Sequence, residues 1–172
     1  GVVLMLRIEN LNKSFGGVHA IENLSIDFAP GTLSAVIGPN GAGKTTFFNL
    51  ISGGLQPDSG NILLAGENMV GLSRNAIVHK GIGRAFQVAK LFKSLTVEES
   101  LRAALQSALG RAAQMHGNFP LMATRDRAHE VMAQLRLQHK ADTVSGNLSH
   151  GDQKLLDMAL ALVLRPKVLL LD

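Results

Sequence analysis

The sequence predicts an α/β fold, and three observations carry that reading. Residues 4–9 and 24–28 alternate apolar with polar side chains, as the strands of a half-exposed antiparallel sheet do. The short apolar run 33–37 leads into a glycine-rich loop and then into a helical pattern after Lys44, which is the strand–loop–helix order of an α/β unit. Residues 168–171 form an unbroken apolar run suited to a central parallel strand covered on both faces, with Asp172 at its carboxyl end. The predicted architecture is a mixed sheet flanked by helices, with an N-terminal antiparallel β portion and an inserted α-helical subdomain.

Each element follows from local chemistry. Gly16-Gly17 makes the turn between the first two strands, and Pro30-Gly31 breaks the chain before the 33–37 strand. Phe47, Phe48, Leu50 and Ile51 recur at helical spacing, and Gly53-Gly54 stops that helix. Pro57-Asp58-Ser59-Gly60 reads as a turn before a strand at 62–65; a short helix at 73–80 and an extended piece at 81–86 follow. Thr96 and Glu99 have the spacing of a capping box, and Val97, Leu101, Ala104, Leu105 and Ala108 continue as a helix. A polar connection is predicted over 110–124, a second helix over 125–137, and a mostly apolar, buried helix over 152–163. The domain reading is one partial domain over 1–172, divided into a β subdomain and loop core (1–94), a helical subdomain (95–145) and a final helix and strand (146–172).

Composition narrows the function classes. Hydrophobic residues at 46% and charged residues at 17% belong to a chain that folds around an apolar core rather than a disordered one. No apolar run approaches the roughly 20 residues that span a bilayer, and the first residues lack a signal-peptide layout, so a soluble, non-secreted protein is expected. Zero cysteines exclude disulfides and thiolate metal sites. The net charge of +4 comes from scattered residues without a basic block, so nucleic acid is not an expected partner.

The glycine-rich segment is the most informative part of the chain. Gly38-Pro39-Asn40-Gly41-Ala42-Gly43-Lys44-Thr45 fits the spacing G-x-x-x-x-G-K-[ST], with Thr46 following. Glycines let the backbone wrap closely around phosphates, and successive N–H groups with the helix N-terminus form an anion nest. Lys44 is expected to reach the β and γ phosphates, and the Thr45 hydroxyl to serve Mg²⁺. The ligand is therefore a nucleotide, and the core is of the P-loop NTPase kind.

Further residues carry a resemblance to the ATP-binding subunits of ABC transporters, and it covers essentially the whole chain. They are Phe15, the phosphate loop, Gln87, the segment Leu148-Ser149-His150-Gly151-Asp152-Gln153, and 168–172. The resemblance implies that Phe15 stacks on adenine, where Phe15 alone reads as a core aromatic. It makes Gln87 a contact to Mg²⁺ and the attacking water, and Asp172 the aspartate that holds Mg²⁺. It also makes Ser149 and Gly151 signature residues that bind ATP held by the opposite subunit, which implies a dimer. Ser149 with Asp152 equally has the spacing of a capping box that opens the next helix. The signature departs from the common form at His150, usually glycine, and Asp152, usually glutamine; Leu160 stands where arginine is common.

Within that family, Gly81-Ile82-Gly83-Arg84-Ala85-Phe86-Gln87 and the Ser-His-Gly-Asp-Gln signature resemble the ATPases of importers for branched-chain amino acids and similar polar nutrients, urea included. The implied cofactors are ATP and Mg²⁺, with Lys44, Gln87 and Asp172 as the catalytic set. The implied partners are membrane permease subunits, a second ATP-binding subunit and, indirectly, a periplasmic solute-binding protein, at the cytoplasmic face of a bacterial inner membrane. The resemblance puts a water-polarising glutamate after Asp172, outside the 172 residues, so poor hydrolysis by this stretch alone is expected. Two alternatives stand beside the transporter reading: a soluble ABC ATPase acting on nucleic acid or ribosomes, and a non-hydrolysing nucleotide-binding module.

Overall fold

The computed structural model describes residues 5–39, 41, 43–85, 92–113 and 121–171. The described residues form two compact units, one within 5–82 and the other within 83–171.

The first unit is built on a four-stranded antiparallel sheet of β1 (Leu6–Phe15), β2 (Val18–Phe28), β3 (Ser59–Leu64) and β4 (Glu67–Asn68), in the order β2-β1-β3-β4. Leu6, Ile8 and Leu11 of β1 and Ile62 and Leu64 of β3 bury their side chains, the period-two pattern that gives the sheet one apolar face. The glycine pair 16–17 turns the chain between β1 and β2 with both φ angles positive. α1 (Lys44–Ile51) buries Phe47, Leu50 and Ile51, and α2 (Arg74–Lys80) starts on Ser73, whose hydroxyl accepts from the Ala76 N–H.

β1 is not regular. Between Ile8 and Leu11 it carries an extra residue relative to β2, and the same slip recurs against β3 between Glu9 and Asn12. Asn10 takes up the slip at φ 46°, and β2 answers with Asn23 at φ 44°. One side chain serves both irregularities. Asn12 Oδ1 accepts from the Asn23 N–H at 2.7 Å, while Asn12 Nδ2 donates to the Asn10 carbonyl at 2.8 Å and to Ser59 Oγ at 3.0 Å. Gly60 lies opposite, where any Cβ would strike the Glu9 and Asn10 carbonyls, so glycine is required at the close approach.

The second unit packs α3 (Val97–Ala113), α4 (Leu121–Gln134) and α5 (His150–Leu162) around a core that includes Val97, Leu101, Val131, Met132, Leu156 and Leu160. Leu160, the departure from the family's usual arginine, is 2% exposed and belongs to this apolar cluster. The predicted capping box forms in full: Thr96 N–H donates to Glu99 Oε2 at 2.8 Å and Glu99 N–H to Thr96 Oγ1 at 3.2 Å. Buried Ser100 and Ser145 satisfy each other's hydroxyls at 3.0 Å. Arg127 of α4 donates to the Leu162 and Val163 carbonyls at 2.7 and 3.3 Å, closing the C-terminal end of α5. β5 (Ile82–Arg84) and β6 (Val168–Leu170) form a two-stranded sheet.

Three expectations are corrected. Residues 33–37 form no strand; Leu33 and Ile37 are 96% and 92% exposed, because no described strand hydrogen-bonds to this run and an unpaired backbone stays in water. The 168–171 run is not covered throughout: Leu170 is buried but Leu171 is 41% exposed, with β5 as its one partner strand among the described residues. The polar connection is shorter than 110–124, since α3 continues to Ala113 and α4 begins at Leu121. Gly110 is tolerated inside the helix at a cost of about 1 kcal/mol relative to alanine.

Candidate functional site

The phosphate loop sits at the start of α1, and its local chemistry favours an anion. Gly43 precedes the helix at φ 79° with no side chain capping the first turn, and that turn holds no acidic residue. The helix N-terminus therefore presents backbone N–H groups and the positive end of its dipole to whatever the loop encloses. Gly41, at φ 86°, gives the loop a second left-handed turn. Lys44 folds its ammonium across the loop and donates to the carbonyls of Gly38 and of Pro39, the latter at 2.9 Å. Thr45 is exposed and Thr46 half-buried beside it. Asn40, Ala42, Gln87 and Asp172 lie outside the described residues.

A close contact ties the loop to the β sheet. A Cβ on Gly43 would run into the Ala20 carbonyl of β2, so the loop's last glycine rests directly on that strand. Ala20 is two residues from Val18, which pairs with Phe15 across the hairpin. Two strand residues span about 7 Å, so the structure brings Phe15, 45% exposed at the end of β1, to the neighbourhood of the phosphate loop.

Three residues beside Phe15 escaped sequence reasoning. Lys13 Nζ lies 5.4 Å from the Phe15 ring centroid and 2.8 Å from Asp58 Oδ1. Asp58 Oδ2 accepts from the Ser14 N–H at 2.7 Å, and its own N–H donates to the Asn12 carbonyl at 2.9 Å. The Lys13 hydrogen bond, reinforced by the Ser14 N–H, holds the Asp58 carboxyl below the ordinary aspartate range. The available signal was the Asp in Pro57-Asp58-Ser59-Gly60, legible as a turn residue but not as a partner for β1.

In the second unit, Ser149 caps α5, its hydroxyl accepting from the Asp152 N–H at 3.2 Å and donating to Asp152 Oδ2 at 2.8 Å. The carboxylate thus accepts a hydrogen bond from the serine hydroxyl rather than from the Ser149 N–H, half of a capping box. Ser149, His150 and Gly151 are exposed, and the nearest atom to a Cβ on Gly151 is Ser149 Oγ at 4.0 Å. This helix start is open to a ligand approaching from outside the unit.

The loop offers a side-chain donor of the kind hard cations take. The exposed Thr45 hydroxyl is an oxygen donor, and the described residues hold no cluster of three His, Asp or Glu side chains. That donor set fits Mg²⁺, which keeps water and phosphate ligands and needs few from protein. No helix among the described residues is long and apolar enough to cross a membrane.

The chain matches known proteins along nearly its whole length. The family model described as ABC transporter matches residues 21–172. The chain is 34% identical to the high-affinity branched-chain amino acid transport ATP-binding protein LivG of Escherichia coli K12, over 98% of this chain and 68% of that protein. It is also 34% identical to the lipopolysaccharide export system ATP-binding protein LptB of the same organism, over 97% of this chain and 66% of that one. Among solved structures, the ADP conformation of MJ1267, an ATP-binding cassette of an ABC transporter, superposes with a TM-score of 0.77 at 30% identity, over 96% of this chain and 67% of that one. The chain spans about two thirds of the length of these relatives, and by its phosphate loop, its fold and its sequence it belongs to the ABC transporter family, as a nucleotide-binding ATPase domain.

Proposed function

We propose that this chain energises an importer for branched-chain amino acids or a similar polar nutrient, by binding and hydrolysing Mg-ATP at the cytoplasmic face of the membrane. The observation that carries the proposal is the open, uncapped N-terminus of α1 beneath a lysine-bearing glycine loop, in a chain similar to LivG over 98% of its length.

In this reading Gly38 to Thr46 enclose the triphosphate, backbone N–H groups facing its oxygens. Lys44 exchanges the Gly38 and Pro39 carbonyls for the β and γ phosphates, contacts between two ions replacing contacts between an ion and a dipole. Thr45, Gln87 and Asp172 would hold Mg²⁺, which when bound neutralises charge on the phosphates. Gln87 also orients the attacking water. Phe15 stacks on the adenine ring. Ser149 and Gly151 bind the γ-phosphate of ATP held by a second copy or a homologous subunit, so two cassettes close around two nucleotides. A permease pair takes up that motion, with a periplasmic solute-binding protein supplying the solute.

A second reading has its own observation: the chain is equally, 34%, identical to LptB, an export system's ATP-binding protein, which supports an exporter. The test is genetic and biochemical. Disrupting the gene should abolish high-affinity leucine uptake while leaving lipopolysaccharide export intact, and the protein should co-purify from detergent extracts with integral membrane subunits. Normal amino-acid uptake with failed lipopolysaccharide export would transfer the assignment to the exporter reading. Absence of any co-purifying membrane protein would remove both.

A further inference from the structure

The end of β1 places a cation against the exposed ring at its tip. Lys13 is not a freely solvated lysine: its side chain is 16% exposed, and Asp58 holds its ammonium at 2.8 Å. The same ammonium lies over the Phe15 ring, 5.4 Å from the centroid. We propose that Lys13, anchored by Asp58, is a positioning and specificity-determining residue for the purine base, covering one face of Phe15 and leaving the other to stack. The inference rests on the reading of Phe15 as the adenine platform.

The physical case has two parts. Asp58 binds β1 at three consecutive residues, through the Asn12 carbonyl, the Lys13 ammonium and the Ser14 N–H, so the strand end that carries Phe15 is tied down at three points. The Lys13 ammonium and the Ser14 N–H favour the ionised carboxylate and hold Asp58 below the ordinary aspartate value. The second part is electronic. A cation on one ring face draws π density toward itself, which lowers the repulsion felt by the electron-rich face of a purine stacked on the other. Such contacts change equilibria by about two- to fivefold at partly exposed sites.

The decisive experiment is calorimetric titration of the whole protein with Mg-ATP and, separately, with inorganic tripolyphosphate, which carries the phosphates without a base. Lys13→Met should lower ATP affinity about two- to fivefold and leave tripolyphosphate affinity unchanged, while Lys13→Arg should retain ATP affinity. Asp58→Asn keeps the ammonium but removes its anchor and should fall between wild type and Lys13→Met. Phe15→Ala should lose the most ATP affinity. Tripolyphosphate binding reports an intact loop in every variant. Loss of both ligands in parallel in Lys13→Met would overturn the proposal in favour of general electrostatics. Wild-type ATP affinity in Lys13→Met alongside a weakened Phe15→Ala would overturn it alone. An Asp58→Asn variant equal to wild type would remove the anchor from it. Unchanged ATP affinity in Phe15→Ala would remove the adenine reading as well.

Discussion

Lys44 is the sole cationic side chain in residues 38–46, and its ammonium is already drawn over the loop by two carbonyls. Replacing it removes charge-assisted bonds worth about 1.5–3 kcal/mol each. Lys44→Ala is therefore expected to weaken Mg-ATP binding by at least about tenfold, measured by titration calorimetry; undiminished affinity would contradict the phosphate-site assignment. A second residue-scale prediction concerns stability. Asn12→Ala leaves the Asn23 N–H and the Asn10 carbonyl without their side-chain partner at two strand bulges. The expected loss is about 1–3 kcal/mol by chemical denaturation. A change below a few tenths would mean that water replaces the amide. Lys44 was legible from spacing alone, whereas Asn12 was not, because nothing in a sequence marks which side chain will satisfy a bulge formed by distant strands.

At the scale of elements, α5 joins a capped start to a clamped end. Ser149→Ala should destabilise the protein by about 0.5–2 kcal/mol through the lost cap, and in the proposed function should also impair ATP-driven dimerisation. A variant that dimerises normally with ATP would leave Ser149 a cap only. The clamped end predicts a pH dependence. The Glu130 carboxyl is held below the ordinary glutamate value first by its hydrogen bond with Arg127, then by the charges of Arg127 and Arg165. A carboxyl depressed in the folded state stabilises it above the ordinary value, about 4.3, and loses that contribution as pH falls through the depressed value. Glu130→Gln should therefore lower the melting temperature at neutral pH by more than it does near pH 3, as scanning calorimetry would read. An equal shift at both pH values would refute the assignment. Helices were readable here because caps and 3.6-residue spacing are local. Residues 33–37 misled, since a four- or five-residue apolar run states a preference for burial but cannot supply the neighbouring strands that burial requires.

For the whole molecule, the division into two units makes ligand stabilisation unequal. ATP at the loop should stabilise by about 2.7 kcal/mol when present at a hundred times its dissociation constant. Amide hydrogen exchange should slow mainly at residues 15–20 and 38–52, which Gly43 and Ala20 join, and little in α3 and α4. Uniform slowing across both units would overturn that expectation. Fold class was legible because the loop motif and the alternation at the N-terminus are both short-range signals. The Lys13–Asp58 pair spans 45 residues and could emerge only once β3 lay beside β1.

The bulges also shape how molecules meet. Among the described strands, β2 forms one edge of the sheet, 11 residues long, with Val18 and Ile26 exposed. A straight edge of that length would recruit a second copy into a continuous sheet. The ladder of β2 to β1 slips at three places, so the edge twists and offers an incoming strand no long run of matched donors and acceptors. The irregularities of the β1–β2 ladder thus leave this edge a poor template for a second strand.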